Sequence, residues 1–161
     1  MGNLSIPIST KTDFYAFVGS NIRNTDAYAF TRNGGARVVE SIYPGGFTPR
    51  ITSDILDNSI AVGIKTKFDN GWKMDLSNSL GNNSFHYNIE GTLNASLGGN
   101  SPTSFDAGGH KLLQNTTNLD FSKNYDTVLE GFNLALGTEF RVEKFNIFAG
   151  EVGSYATYDI N

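Results

Sequence analysis

The sequence predicts an all-β chain: a segment of an antiparallel, up-and-down transmembrane β-barrel, with about six strands joined by alternating short turns and long loops. Three observations carry this. Apolar and polar residues alternate with period two over most of the chain, the spacing of a strand with one face in an apolar environment. Connections alternate between short and long, as periplasmic turns and extracellular loops do in outer-membrane barrels. At the short-turn ends Phe14, Phe68, Trp72, Phe121 and Phe132 share the apolar parity, which places them in an aromatic girdle.

Composition bounds the reading. The 161 residues suffice for one domain, residues 1–161, and 18 glycines with 4 prolines favour strands and turns. A net charge of −4 gives no basic footprint, so nucleic acid is not an expected partner. Without cysteine there is neither a disulfide framework nor a thiolate ligand. No apolar run approaches the ~20 residues of a membrane helix, so a membrane-embedded chain would have to cross as strands. The start, MGNLSIPI, lacks a secretion signal, which leaves a soluble protein or an excerpt of a longer one.

Each element follows from its alternation. Leu4, Ile6 and Ile8 form a first strand, with Pro7 suited to an edge or an end. Asp13 to Arg23 form a second, with Phe14, Ala16, Val18 and Ile22 on one face. A long loop is expected from Asn24 to Thr52, through Asn33-Gly34-Gly35 and Tyr43-Pro44-Gly45-Gly46-Phe47. From Asn58 the alternation returns in Ile60, Val62, Ile64 and Phe68. Asp69-Asn70-Gly71 is a tight hairpin turn, leading into Met74, Leu76 and Leu80. Across Gly81, Asn82 and Asn83 the apolar parity switches to Phe85, Tyr87 and Ile89, which requires a bulge or a change of environment. A loop is expected from Gly91 to Gly109, then strands around Leu113–Phe121 and Phe132–Val142. The tail from Lys144 reads as another loop.

The apolar band spans close to the ~9–11 residues of a tilted membrane strand, and the opposite face carries Lys65, Asp75, Asp120, Glu139 and Arg141. A wet lumen would accommodate those charges. Six strands are fewer than the roughly eight a membrane barrel needs, so the chain is expected to be part of a larger barrel. Because alternation does not tell a lipid face from a core, a self-contained β-barrel module binding a small apolar ligand is the alternative.

Asn94 to Gly109, NASLGGNSPTSFDAGG, together with Gly71-Trp72, Phe85 to Ile89, Phe14 to Phe17, Ile42 to Phe47, Leu136 to Glu143 and Ala149 to Glu151, resembles the barrel domain of TonB-dependent outer-membrane receptors. That resemblance implies a location in the cell outer membrane and active uptake of a scarce, bulky nutrient such as an iron chelate, cobalamin or a glycan. It implies as partners outer-membrane lipid, a plug domain, further barrel strands and, through the plug, the TonB complex. No plug is found within the chain.

Within that frame Tyr43, Phe47 and Arg50 are candidates for an extracellular ligand vestibule, against ordinary loop packing. Asp106 either holds a loop against the plug or closes an Asx-turn. His110, like His86, could touch a chelate but lacks a ligand at metal spacing, so no metal or cofactor is expected. Arg141 between Glu139 and Glu143 reads as a cross-strand charge ladder. With no Gly-x-Ser-x-Gly elbow, phosphate loop or triad context, the chain is not expected to be an enzyme.

Overall fold

A computed structural model describes residues 1–128 and 130–159. Six strands form one antiparallel meander in which each neighbours the next in sequence: β1 (Gly2–Pro7), β2 (Thr12–Tyr28), β3 (Arg50–Lys67), β4 (Lys73–Glu90), β5 (Ser104–Tyr125) and β6 (Phe132–Phe148). β1 pairs with β2 in the register Leu4↔Ala16 and Ile6↔Phe14, so residues of equal parity lie side by side. Pro7 closes β1, an edge strand, where its missing N–H costs the ladder nothing.

The turns form as their residues dictate. Gly71 takes φ +84°, the Phe68 N–H donates to the Trp72 carbonyl at 2.8 Å, and the Gly71 N–H donates to the Phe68 carbonyl at 3.0 Å. Lys11 and Asp69 add an ion pair between two neighbouring turns. Short 3₁₀ segments, Ala95–Asn100 and Val152–Ser154, occupy the β4–β5 connection and the tail.

The sheet is not a closed barrel. Among the described residues β1 and β6 are its two ends, and they do not pair with each other. This corrects the expected transmembrane barrel fold and, equally, the self-contained β-barrel alternative. It also removes the basis for an outer-membrane location and for lipid as a partner, since strands cross hydrocarbon only in a closed barrel, where no edge group is left unsatisfied. Among the described residues no helix is long and apolar enough to cross a membrane.

Three further expectations change. β2 and β3 extend into the stretch read as a loop, to Tyr28 and from Arg50. Polar cross-strand pairs hold those extensions: Asn24 donates to Asp54 and Arg50 to Asp26. Period-two hydrophobicity cannot reveal such pairs. β5 begins at Ser104, inside the expected loop, and β6 continues through Lys144 to Phe148. Arg141 meets Glu139 at 2.8 Å and Glu143 at 3.9 Å along its own strand, so the ladder runs within β6 and not across strands.

The chain divides into two compact units. The first comprises Met1–Asn21, Asp57–Asn83 and Leu112–Phe145; the second comprises Ile22–Leu56, Ser84–Lys111 and Asn146–Asn161. β4 passes unbroken through the parity switch, and the boundary between the units falls along it at Asn83–Ser84.

Among the described residues the buried large hydrophobics are Phe47, Ile55 and Phe105, all in the second unit. In the first unit many residues of the apolar parity stay exposed, for example Leu4 at 50 %, Leu76 at 43 % and Leu136 at 54 %, while Phe14, Val62 and Met74 are half-buried. Its opposite face is built around two glycines. A Cβ on Gly63 would run into the Tyr15 ring, and one on Gly137 into the Asp120 carboxylate. Both polar side chains therefore lie flat across the neighbouring strand.

In the second unit a Cβ on Gly109 would overlap the Phe85 carbonyl oxygen and the Phe148 ring. The carbonyl oxygen belongs to backbone and cannot swing aside. Gly109→Ala is expected to lower stability by about 1–3 kcal/mol, the usual cost of forcing extra volume into a packed site, read as a reduced midpoint in urea unfolding with an unchanged slope.

Candidate functional site

The sequence-predicted residues Tyr43, Phe47, Arg50, Asp106 and His110 all belong to the second unit, but they fall into separate groups. Tyr43 and Phe47 flank the turn at Gly45 and Gly46, which take φ +83° and +111°. Their rings stack at 4.8 Å, and Phe47 is buried while exchanging backbone hydrogen bonds with Arg32 at 2.8 and 2.9 Å. This is an internally packed loop. Arg50, at the start of β3, forks onto both oxygens of Asp26 and lies 3.9 Å from Glu90. The hydrogen bond from Arg50 is the main cause of an Asp26 carboxyl held below the usual carboxylate range.

Asp106 is the centre of a second group. Its Oδ1 accepts the Gly108 N–H at 2.7 Å, an Asx-turn made possible by φ +76° at Gly108. The same oxygen lies 2.8 Å from His86 Nε2, which β4 supplies. The Asp106 N–H donates to Glu151 Oε1, and the Glu151 N–H donates to the Asp106 carbonyl, both at 3.0 Å. The His86 and Phe148 rings meet in a T-shaped arrangement with centroids 5.5 Å apart. β4, β5 and the tail are thus fastened at one point. His110 stacks on Phe85 at 5.4 Å, with Tyr87 at 6.0 Å.

The adjoining loop is tied to the tail in the same manner. Asn94 accepts the Ser96 N–H and hydroxyl at 3.1 and 2.6 Å, and donates to the Gly153 and Ala156 carbonyls at 2.9 and 2.8 Å. Among the described residues no group of three or more His, Cys, Asp or Glu side chains could hold a metal ion.

The first unit holds a concave site that sequence reasoning did not assemble. A cavity of about 630 Å³ is lined by Lys65, Lys67, Lys73, Asp75, Asp120 and Gly137, among others. Beside it the Tyr15 hydroxyl donates to Asp75 Oδ1 at 2.7 Å, Lys65 Nζ lies 3.8 Å from Asp75 Oδ2, and Lys65 sits over the Tyr15 ring at 4.6 Å. Burial, then the hydrogen bond to Asp75, raises the Tyr15 phenol above its ordinary value. Lys65 and Asp75, expected to face a wet lumen, instead neutralise one another across neighbouring strands. Gly63 was the signal available: a glycine on the polar parity leaves room for an aromatic ring from the next strand.

Compared with known proteins, the chain matches no family model, no curated protein and no solved structure. Together with the open sheet, this overturns the resemblance to TonB-dependent receptors. Uptake of a bulky nutrient falls with it, as do the plug domain, the further barrel strands and the TonB complex as partners. The motif that suggested the family has a local explanation: Ser104–Gly109 opens β5 around the Asp106 Asx-turn.

The Gly108 N–H and then His86 hold the Asp106 carboxyl below the usual carboxylate range. A carboxyl depressed in the folded state contributes stability that is present above its unfolded value, about 3.9, and is lost as pH falls through the lower folded value. Wild type is therefore expected to exceed Asp106→Asn in unfolding midpoint at neutral pH, with the two curves converging below about pH 3.9. Denaturant titrations across pH check this.

Proposed function

We propose that this chain works by association with copies of itself through the apolar face of its sheet, and not by catalysing a reaction. The observation that carries the reading is the exposure of an apolar row on the strands of the first unit: Leu4 and Ile6 on β1, Ile60 and Ile64 on β3, Leu76 and Leu80 on β4, Leu136 and Phe140 on β6. Among the described residues no large hydrophobic side chain of that unit is buried. A sheet stabilises itself by covering such a face.

The area supports a large contact. The chain exposes 10859 Å², whereas a folded monomer of 17.5 kDa exposes about 7900 Å². The excess, roughly 3000 Å², is well above the ~800 Å² each partner gives to a standard interface. Contiguous apolar exposure of that kind marks association sites. A second copy is the occupant that fits. The row from Leu76 to Leu80 and its neighbours on the same face, Ile60 to Ile64 on β3 and Leu113 to Leu119 on β5, contain no acidic or basic side chain, so two copies of the face meet without like-charge repulsion.

Sedimentation across a wide concentration range tests this. The expected result is a particle of at least twice the 17.5 kDa chain mass that dissociates on dilution, and Leu76→Glu should shift dissociation to higher concentration. A 17.5 kDa particle at every concentration, with an intact strand spectrum, would refute it.

A further inference from the structure

Among the described residues the sheet ends at β6, which has β5 as its single neighbouring strand. All seventeen residues of β6 are exposed, Phe140 at 69 %. An edge of that length is a template for another strand. Two copies meeting edge to edge about a twofold axis pair antiparallel and isologously, so each register is set by the residue at its centre.

Phe140 is the middle residue of Phe132–Phe148, and only the register centred on it overlaps the whole strand. In that register Glu139 lies opposite Arg141 of the second copy, and Arg141 opposite its Glu139. Two complementary charge pairs form on the polar face, while Phe140 meets Phe140 on the apolar face and Thr138 meets Val142. Moving the centre by one residue either way sets like charges opposite each other: Glu139 against Glu139, or Arg141 against Arg141. Opposed charges across strands favour pairing and like charges oppose it. Length, charge and face thus select the same register.

We propose that the edges of β6 in two copies pair antiparallel about Phe140, joining the two sheets into one. This rests on the reading of the chain as self-associating and specifies one surface through which it does so. Arg141, already 2.8 Å from Glu139 along its own strand, becomes the bridge between the copies.

The test is a charge exchange in the full chain. Glu139→Arg and Arg141→Glu, each alone, place like charges at both pairs and are expected to weaken self-association roughly ten- to hundredfold. An equimolar mixture of the two variants restores complementary pairs and should associate as wild type does, as should the double variant. Because the chain has no cysteine, Phe140→Cys adds an independent readout: opposite residues lie ~4.5–5.5 Å apart at Cα, so mild oxidation should give a disulfide-linked dimer. Association that survives both single charge variants unchanged, with no crosslinked dimer from Phe140→Cys, overturns the β6 pairing and leaves the broader reading standing. A wild-type chain that stays monomeric at every concentration overturns both.

Discussion

The structure depends on its inter-strand hydrogen-bond ladder. Full burial is rare: among the described large apolar residues only Phe47, Ile55 and Phe105 are buried, and all three belong to one unit. In the other unit the strands are held by backbone pairing, by tight turns such as that at Gly71, and by polar side chains reaching across strands. Asn78 donates to Asn115 and Thr117 at 3.2 and 2.8 Å, and Asn115 returns a bond to Asn78 at 3.0 Å. Such pairs fix register but bury little apolar area, which ties the fold to whatever covers its apolar face.

The second unit uses a different device. Gly108, Gly109 and Gly150 allow backbone segments to approach where a Cβ would collide with main-chain atoms, and Asp106 and Asn94 supply the hydrogen bonds that hold those segments together. The sequence candidates Tyr43, Phe47, Arg50, Asp106 and His110 each make contacts of their own within that unit.

Much of the sheet was legible from alternation. The turn at Asp69-Asn70-Gly71 and the strand through Met74 to Leu80 follow from residue type and spacing. The ends of β2 and β3 did not, because Asn24–Asp54 and Arg50–Asp26 extend the ladder through polar pairs that look like loop composition. Closure was illegible for a different reason: period two reports faces, and says nothing of whether the first and last strands meet. The run Ser101–Gly108 misled because turn-and-strand chemistry of that kind serves any β-sheet, so likeness there was no evidence of kinship. The groove beside Tyr15, Asp75 and Lys65 needed the inter-strand register, which one strand's sequence does not contain.

The backbone ladder of this meander joins each strand only to its neighbours in sequence and is, thermodynamically, close to a one-dimensional chain. Its stability is largely a sum of nearest-neighbour terms, as in repeat proteins, to which side chains such as Tyr15, reaching from β2 to Asp75 on β4, and His86, meeting Phe148 of β6, add contacts one strand further on. Hairpins joined by short turns close with little loop entropy and low contact order, so folding can start at any of the short turns and spread outward in both directions. β1, with six residues and one neighbour, is the weakest term and the first to fray. The central strands open last, having neighbours on both sides.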